Sequence, residues 1–394
     1  MIKTKILYLS YNGMNEALGA SQVLSYLYPL SDDYEFYLIS LEKPQDWQDL
    51  PKMDALKKKL AASGIQWLPL EYREDAWGKV MNWFRFTRHA FRTVTRHKIK
   101  YLHCRSYFPA MSAYFIQKIQ PIKYLFDTRG FAFDERADTG SISRKSVLHR
   151  VFKFLEQKLY KNAAGINKLS YEGRRTILEN ELFPGGDQLK NITVIPTCVD
   201  LIRFQWQKRE YGEIVRIGYV GTAIGWYDFD RTLQALQAIG KQVSYHFTIF
   251  NGGQHDFIRE KLKQYEIPEQ SVTLEKVNFS DMPAKLSEFE IALFYIHPYF
   301  SKRASAATKL GELLASGIPV LTNGNVGDHE FYITDHHCGK ILDFDQLETY
   351  DFEEIFRELR TVETSENCRQ VAERYFSLEK GVEGYKEMYR KIFC

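Results

Sequence analysis

Three basic side chains crowd one short stretch of this chain: Lys302, Arg303 and Lys309, within FYIHPYFSKRASAATKLGELLASGIPVLTNGNVGD from Phe294 to Asp328. The pattern predicts a strand ending near Phe294, a loop carrying Lys302 and Arg303, and a helix running to about Ser316. Ser305 is placed as its N-cap and Gly317 as its terminator. A helix start offers backbone amides and the positive end of the dipole. With Thr308 and three cations beside it, that is chemistry for holding a diphosphate. Glu312 follows Thr308 by four residues and shares its helix face, so its carboxylate could accept hydrogen bonds from ribose hydroxyls. On the residues alone, an ordinary surface pair between Lys309 and Glu312 remains the alternative.

A second set of candidates lies in the first half. His103, Arg105 and Arg129 fall at the ends of predicted strands, where ligands of open α/β sheets bind. A guanidinium cannot act as a base, but it can bind an anionic group. For His103 a structural role stands as the alternative. The loop Tyr11–Ser21 follows the first strand and carries Gly13, Gly19 and Ser21, a candidate acceptor or phosphate loop. It lacks the Gly-x-Gly-x-x-Gly spacing of a dinucleotide site, and no Gly-Lys-Ser/Thr occurs anywhere. Plain turn chemistry is the alternative for both glycines. Two Asp-x-Asp strings have metal-site spacing, Asp228-Phe229-Asp230 and Asp343-Phe344-Asp345. The first opens a predicted helix, where acidic residues belong, and no metal is expected at either.

These residues need elements to hold them. At 394 residues, with 44% apolar and 26% charged side chains, the chain is the size and mix of a two-domain globular protein. Short apolar runs at Ile6–Leu9, Phe36–Ser40, Ile65–Leu70, Tyr101–Cys104, Tyr124–Phe126, Gly165–Asn167 and Ile192–Ile195 alternate with helical patterns. After a polar stretch, Gln205–Glu213, the alternation restarts at Arg216–Val220, His246–Phe250, Val272–Glu275, Ile291–Phe294 and Pro319–Leu321. That rhythm predicts an α/β fold: two doubly wound, Rossmann-like domains facing across a cleft. The boundaries expected are residues 1–204, residues 214–375, and a closing helix over residues 376–394. Five dispersed cysteines suit a reducing compartment, and neither a signal-peptide-like nor a membrane-spanning run is visible. A cytoplasmic location is expected. Net charge is +3, so attraction to any anionic partner must be local.

Thr308-Lys309-Leu310-Gly311-Glu312, continuing through Gly317-Ile318-Pro319-Val320, resembles the donor-site helix of the retaining group 1 (family 4) glycosyltransferases of B-type fold. Val194-Ile195-Pro196-Thr197-Cys198-Val199-Asp200 with Phe204 is similar to that family's domain junction, and Ile217-Gly218-Tyr219-Val220-Gly221 to its second-domain strand and glycine turn. Arg374-Tyr375-Phe376-Ser377 with Tyr385 and Tyr389 resembles its closing helix. Gly13 through Leu24 and Asp127-Thr128-Arg129-Gly130-Phe131 resemble a subgroup.

The resemblance implies transfer of a sugar from a nucleoside-diphosphate donor to a glycan or lipid-linked acceptor, with retention and without metal or other cofactor, in bacterial cell-surface polysaccharide synthesis. Catalytic roles are expected for Arg105, Arg129 and Lys309, and donor contacts from Glu312, Thr308, Ser305, Lys302, Arg303, Gly221 and Thr222. Three departures stand out. Ala304 occupies the place of a sugar-contacting Glu, while Thr222 and Tyr227 occupy those of the Arg and Lys that clamp the diphosphate. Lys302, Arg303 and Lys309 are expected to replace the lost cations. A catalytically impaired nucleotide-sugar-binding relative, a two-Rossmann epimerase and a phosphorylase are the other readings.

In the stretch Trp77–Arg96, Trp77, Trp83, Phe84, Phe86 and Phe91 interleave with Arg85, Arg88, Arg92 and Arg96, which share one helix face. This suits peripheral contact with an anionic membrane surface on its inner face, against the alternative of a solvated arginine face. Nucleic acid is not expected as a partner, because charge is near balance and no recognition module appears.

Overall fold

The computed structural model describes residues 3–278 and 280–393. The chain divides into two compact units. One runs from the N-terminus through Pro196 and is rejoined by the chain from Gly381 onward; the other is Thr197–Lys380. The first boundary therefore falls inside the Pro196-Thr197 motif, earlier than the residue 204 expected.

In the first unit seven parallel strands stand in the order β3-β2-β1-β4-β5-β6-β7: Thr4–Ser10 (β1), Tyr34–Glu42 (β2), Gln66–Glu71 (β3), Tyr101–Arg105 (β4), Lys123–Asp127 (β5), Gly165–Lys168 (β6) and Ile192–Val194 (β7). Ile6, Leu7 and Leu9 are fully buried, as expected of central strands covered on both faces. The order reverses between β1 and β4, which makes the carboxyl ends of these two strands the switch point of the sheet. The helix Leu378–Phe393 closes this unit. Its Val382, Tyr385, Met388, Tyr389 and Ile392 recur at helical spacing and are buried, each contributing about 1.5–3 kcal/mol through area removed from water. Lys386 pairs with Asp33 at 2.7 Å, and Lys123 donates to the Ile392 carbonyl at 3.1 Å.

The second unit has six parallel strands in the order β10-β9-β8-β11-β12-β13: Val215–Val220 (β8), Tyr245–Phe250 (β9), Val272–Glu275 (β10), Ile291–Leu293 (β11), Val320–Thr322 (β12) and Gly339–Ile341 (β13). Its switch point lies between β8 and β11. The β13 edge strand escaped the sequence reading because Gly339-Lys340-Ile341 is not an apolar run. The stretch Gln205–Glu213, read as a polar break, contains a buried anchor: Arg209 donates to the carbonyls of Ser316 (2.6 Å), Gly317 (3.0 Å) and Phe289 (2.8 Å).

The Ala76–His97 helix differs from its sequence reading. Phe86 is a core residue with no exposed surface, and Arg85 donates to the Glu71 carbonyl at 3.3 Å. The large apolar residues it leaves in water are Trp77, Val80, Met81 and Phe84.

Candidate functional site

In the second unit β8 ends at Val220 and the chain turns at Gly221, whose φ of 100° suits glycine. A Cβ here would overlap the Cε and Nζ of Lys309, so the lysine head rests against the glycine backbone. Lys309 is the second residue of the helix Thr308–Ala315, which follows β11. The loop after β8 and the helix after β11 thus meet at the switch point of the sheet, where α/β folds bind ligands.

The environment of Lys309 is unusual. Its Nζ is buried and has no hydrogen-bond partner. It lies 3.6 Å from the ring centroid of Tyr227 and 5.3 Å from that of Tyr219, so aromatic faces supply the negative potential. Burial pushes its pKa down to about 7, with the Glu312 carboxylate opposing. Burial likewise pushes the Glu312 carboxyl up to about 7, against Arg203 and Lys309. Glu312 makes no ion pair with Lys309 among the described residues, which corrects the surface-pair alternative: the lysine turns toward the tyrosines instead.

The neighbouring ring repeats the arrangement, with Lys302 Nζ 3.3 Å from the Trp226 centroid and Lys302 itself buried. Arg303 stacks over Phe300 at 5.4 Å. The loop after β8 carries Trp226 and Tyr227, aromatic platforms on which lysines from the β11 side lie. Sequence reasoning recorded Tyr227 as a lost cation and missed this role. An aromatic standing where a cation is usual was the available signal.

Ser305 is not the N-cap. A 3-10 turn occupies Phe300–Ala304, the Ser305 amide donates to the Lys302 carbonyl at 3.0 Å, and Ala307 caps the helix without a side-chain bond. Thr308 opens the helix as its first residue, and Ala304 is fully buried. The Thr222 hydroxyl faces the Gln254 side-chain oxygen at 3.1 Å, and the same oxygen takes the Ala223 amide at 2.8 Å. Of the two Asp-x-Asp strings, Asp228 caps the next helix through the Arg231 amide, Asp230 pairs with Lys261 at 2.8 Å, and Asp345 pairs with Arg231 at 2.8 Å.

In the first unit Arg105 and Arg129 converge on one acceptor. Both donate to Gln22 Oε1 at 2.8 Å, and Arg105 also donates to Asn12 Oδ1 at 2.9 Å. Gln22 stands on a π-turn, Ala20–Leu24, within a helical stretch that starts at Ala17, inside the segment Tyr11–Ser21 read as a loop. Arg129 has φ of 58° and Ser106, next to Arg105, φ of 74°; such backbone strain costs about 1–3 kcal/mol per residue and concentrates at functional sites. Burial alone would raise the Asp127 carboxyl, but the Arg129 guanidinium, His103 and Arg105 hold it well below the usual carboxylate range.

Two expectations fail here. His103 lies in mid-strand, buried under the C-terminal helix, with Nδ1 2.6 Å from the Tyr389 hydroxyl, so it is a packing residue. Gly13 and Gly19 do not shape a phosphate cradle. The Gly13 amide donates to Glu16, and the Met14 and Asn15 amides to the buried Glu42 carboxylate, at 2.8–3.3 Å. Carboxylates already fill the place an anion would take. A Cβ at Gly19 would overlap the Gly13 carbonyl oxygen, and the Ser21 hydroxyl donates to the Ala17 carbonyl at 2.7 Å.

No protein-family model matches the chain, and no curated protein matches it. Solved structures do. A glycosyltransferase from Rickettsia africae ESF-5 is 15% identical with a TM-score of 0.69, covering 99% of both chains. Sucrose-phosphate synthase from Thermosynechococcus elongatus is 12% identical at 0.73, again over 99% of both. The Anabaena protein HepE, solved with UDP and glucose, is 12% identical at 0.70, over 98% of this chain and 99% of its own. A putative UDP-N-acetylglucosamine 2-epimerase from Listeria monocytogenes overlaps less well, at 0.54 and 12% identity over 97% and 94%. At these identities the likeness is one of architecture: the chain adopts the two-Rossmann fold of the B-type glycosyltransferases.

Proposed function

We propose that this protein is a glycosyltransferase that binds a nucleoside-diphosphate sugar in its second unit and passes the sugar to a glycan or lipid-linked acceptor. The observation that carries the reading is the Lys309 ammonium, buried at the β8/β11 switch point without a hydrogen-bond partner. A buried cation without an anion is costly, and a diphosphate supplies the missing charge. Lys309 then binds the phosphoryl oxygens, the start of the Thr308–Ala315 helix adds its dipole, and Glu312 takes ribose hydroxyls.

Breaking the glycosyl–phosphate bond builds negative charge on the departing diphosphate. A fixed ammonium stabilises that charge without metal and with little reorganisation. Retention of configuration, with the leaving phosphate accepting the acceptor's proton, follows from the family resemblance, as does a setting in cell-surface polysaccharide synthesis. In the first unit the Arg105 and Arg129 pair is suited to an anionic group on the acceptor.

The test is calorimetry with UDP, GDP and ADP on the native protein and on Lys309→Met. Loss of a charge-assisted hydrogen bond, worth about 1.5–3 kcal/mol, weakens nucleotide binding roughly 10- to 100-fold. The variant should fold at least as stably, because the lysine nitrogen bonds no partner that its loss would strand. Unchanged affinity in Lys309→Met would sink the reading. A second reading, a binding protein impaired in catalysis, is favoured by one observation: Ala304 is fully buried and puts no carboxylate where the family's sugar-contacting Glu stands. Nucleotide binding without product from any sugar donor would select it.

A further inference from the structure

The helices Ala76–His97, Tyr107–Gln117 and Val147–Asn162 of the first unit lie side by side and run parallel. The Trp83 indole donates to the Phe108 carbonyl at 3.3 Å, and Thr87 meets Ser112 at 2.7 Å, so the first two advance together. Tyr107 donates to Glu156 at 2.7 Å and Gln117 to the Asn162 carbonyl at 3.4 Å, so the second and third do too. Residues before Trp83 in the first helix, and before Glu156 in the third, therefore overhang the first turn of the middle helix. That is the end of the sheet where β4 finishes.

Both overhangs hold large apolar side chains in water. Trp77, Val80 and Phe84 are 77%, 53% and 54% exposed; Val147, Val151 and Phe154 are 69%, 53% and 61% exposed. The spacings, i, i+3, i+7 and i, i+4, i+7, put each set on one helix face. Apolar residues scattered singly over a surface are ordinary, but two helix ends flanking one helix and each presenting such a face are not. The helices themselves are basic, although the exposed Glu74 and Asp75 directly precede Trp77. The first helix has net charge +5 and no carboxylate, and the third +3, against +3 for the whole chain. Arg88, Arg92 and Arg150 are exposed, and Lys158 lies over the Phe154 ring at 5.1 Å.

We infer that these two helix overhangs dock the protein on an anionic bilayer. The apolar side chains enter the boundary between headgroups and acyl chains, and Arg88, Arg92 and Arg150 meet lipid phosphates. The net positive charge of the two helices selects an anionic lipid surface over a second copy of the same basic face, which would repel it. Among the described residues no helix is long and apolar enough to cross a membrane, and surface docking does not require one.

The experiment is co-sedimentation of the full chain with vesicles of phosphatidylcholine alone and of phosphatidylcholine with phosphatidylglycerol, at low and high salt, without nucleotide. Binding to the anionic vesicles is expected to exceed that to the neutral ones about tenfold or more and to fall with salt. The double variant Trp77→Ser, Phe154→Ser changes exposed side chains and should keep native circular dichroism while losing about tenfold in vesicle binding. Arg88→Glu with Arg150→Glu should erase the preference for anionic lipid. Equal sedimentation with both vesicle types, none with either, or full binding by the Trp77/Phe154 variant overturns the proposal. So does self-association in the ultracentrifuge that this variant abolishes. Because no nucleotide is present, failure of the donor-site reading would leave the result unaffected.

Discussion

If a diphosphate completes the charge on Lys309, nucleotide binding must draw a proton from solution. In the free protein burial holds this lysine at about 7. At pH 8 it is therefore about nine-tenths neutral, and at pH 7 about half. A phosphoryl oxygen against Nζ restores the ammonium, so binding takes up about 0.9 proton at pH 8 and about 0.5 at pH 7. Glu312, also pushed up to about 7, is already mostly ionised at pH 8, and its share of the exchange stays near 0.1 proton there. The sign follows: uptake means that affinity falls as pH rises, approaching tenfold per pH unit between about 8 and 9. Calorimetric titration of UDP at pH 8 in HEPES and in Tris reads the uptake from the dependence of heat on buffer ionisation enthalpy. Lys309→Met should flatten that dependence. Measurable binding by the native protein with no buffer dependence, or the same uptake in the variant, would refute the charge-completion argument.

Two further substitutions probe the supports of the sites. Gly221→Ala places a Cβ against Lys309 Cε and Nζ at a φ of 100°; a loss of about 1–3 kcal/mol in urea unfolding is expected, with nucleotide affinity falling alongside. Tyr389→Phe removes the partner of His103 Nδ1 and leaves a buried ring nitrogen unpaired, at a cost of about 1–3 kcal/mol in the same assay, while UDP affinity of the second unit is retained.

The strands were legible because parallel strands buried on both faces must be near-continuous apolar runs, and runs such as Ile6–Leu9 and His246–Phe250 stand out from their surroundings. The three residues of β13 left no such run, and Gly339 pairs there because its backbone packs directly on Val320. At the candidate site, the types and spacing of Lys309 and Glu312 were readable, but the direction of the lysine head was not. That direction is set by Gly221 and Tyr227, more than eighty residues earlier in sequence, which the sheet order brings beside it. Ser305 misled for a local reason. Any serine before an apolar periodic run looks like a cap, and only the 3-10 turn at Phe300–Ala304 shifts the true start to Thr308. Gly13 and Gly19 likewise looked like an anion loop, since the distant Glu42 that fills it cannot be seen locally.

The return of the chain from Gly381 into the first sheet's unit has a consequence for biosynthesis. Residues 197–380 form one uninterrupted stretch and can complete their core while still tethered to the ribosome. The half made before it must wait: Tyr385 and Tyr389, which bond Asp127, Asn167 and His103, are translated only after that whole stretch. Until they emerge, three polar groups beneath that helix lack these bonds, so the first unit is begun before the second and completed after it.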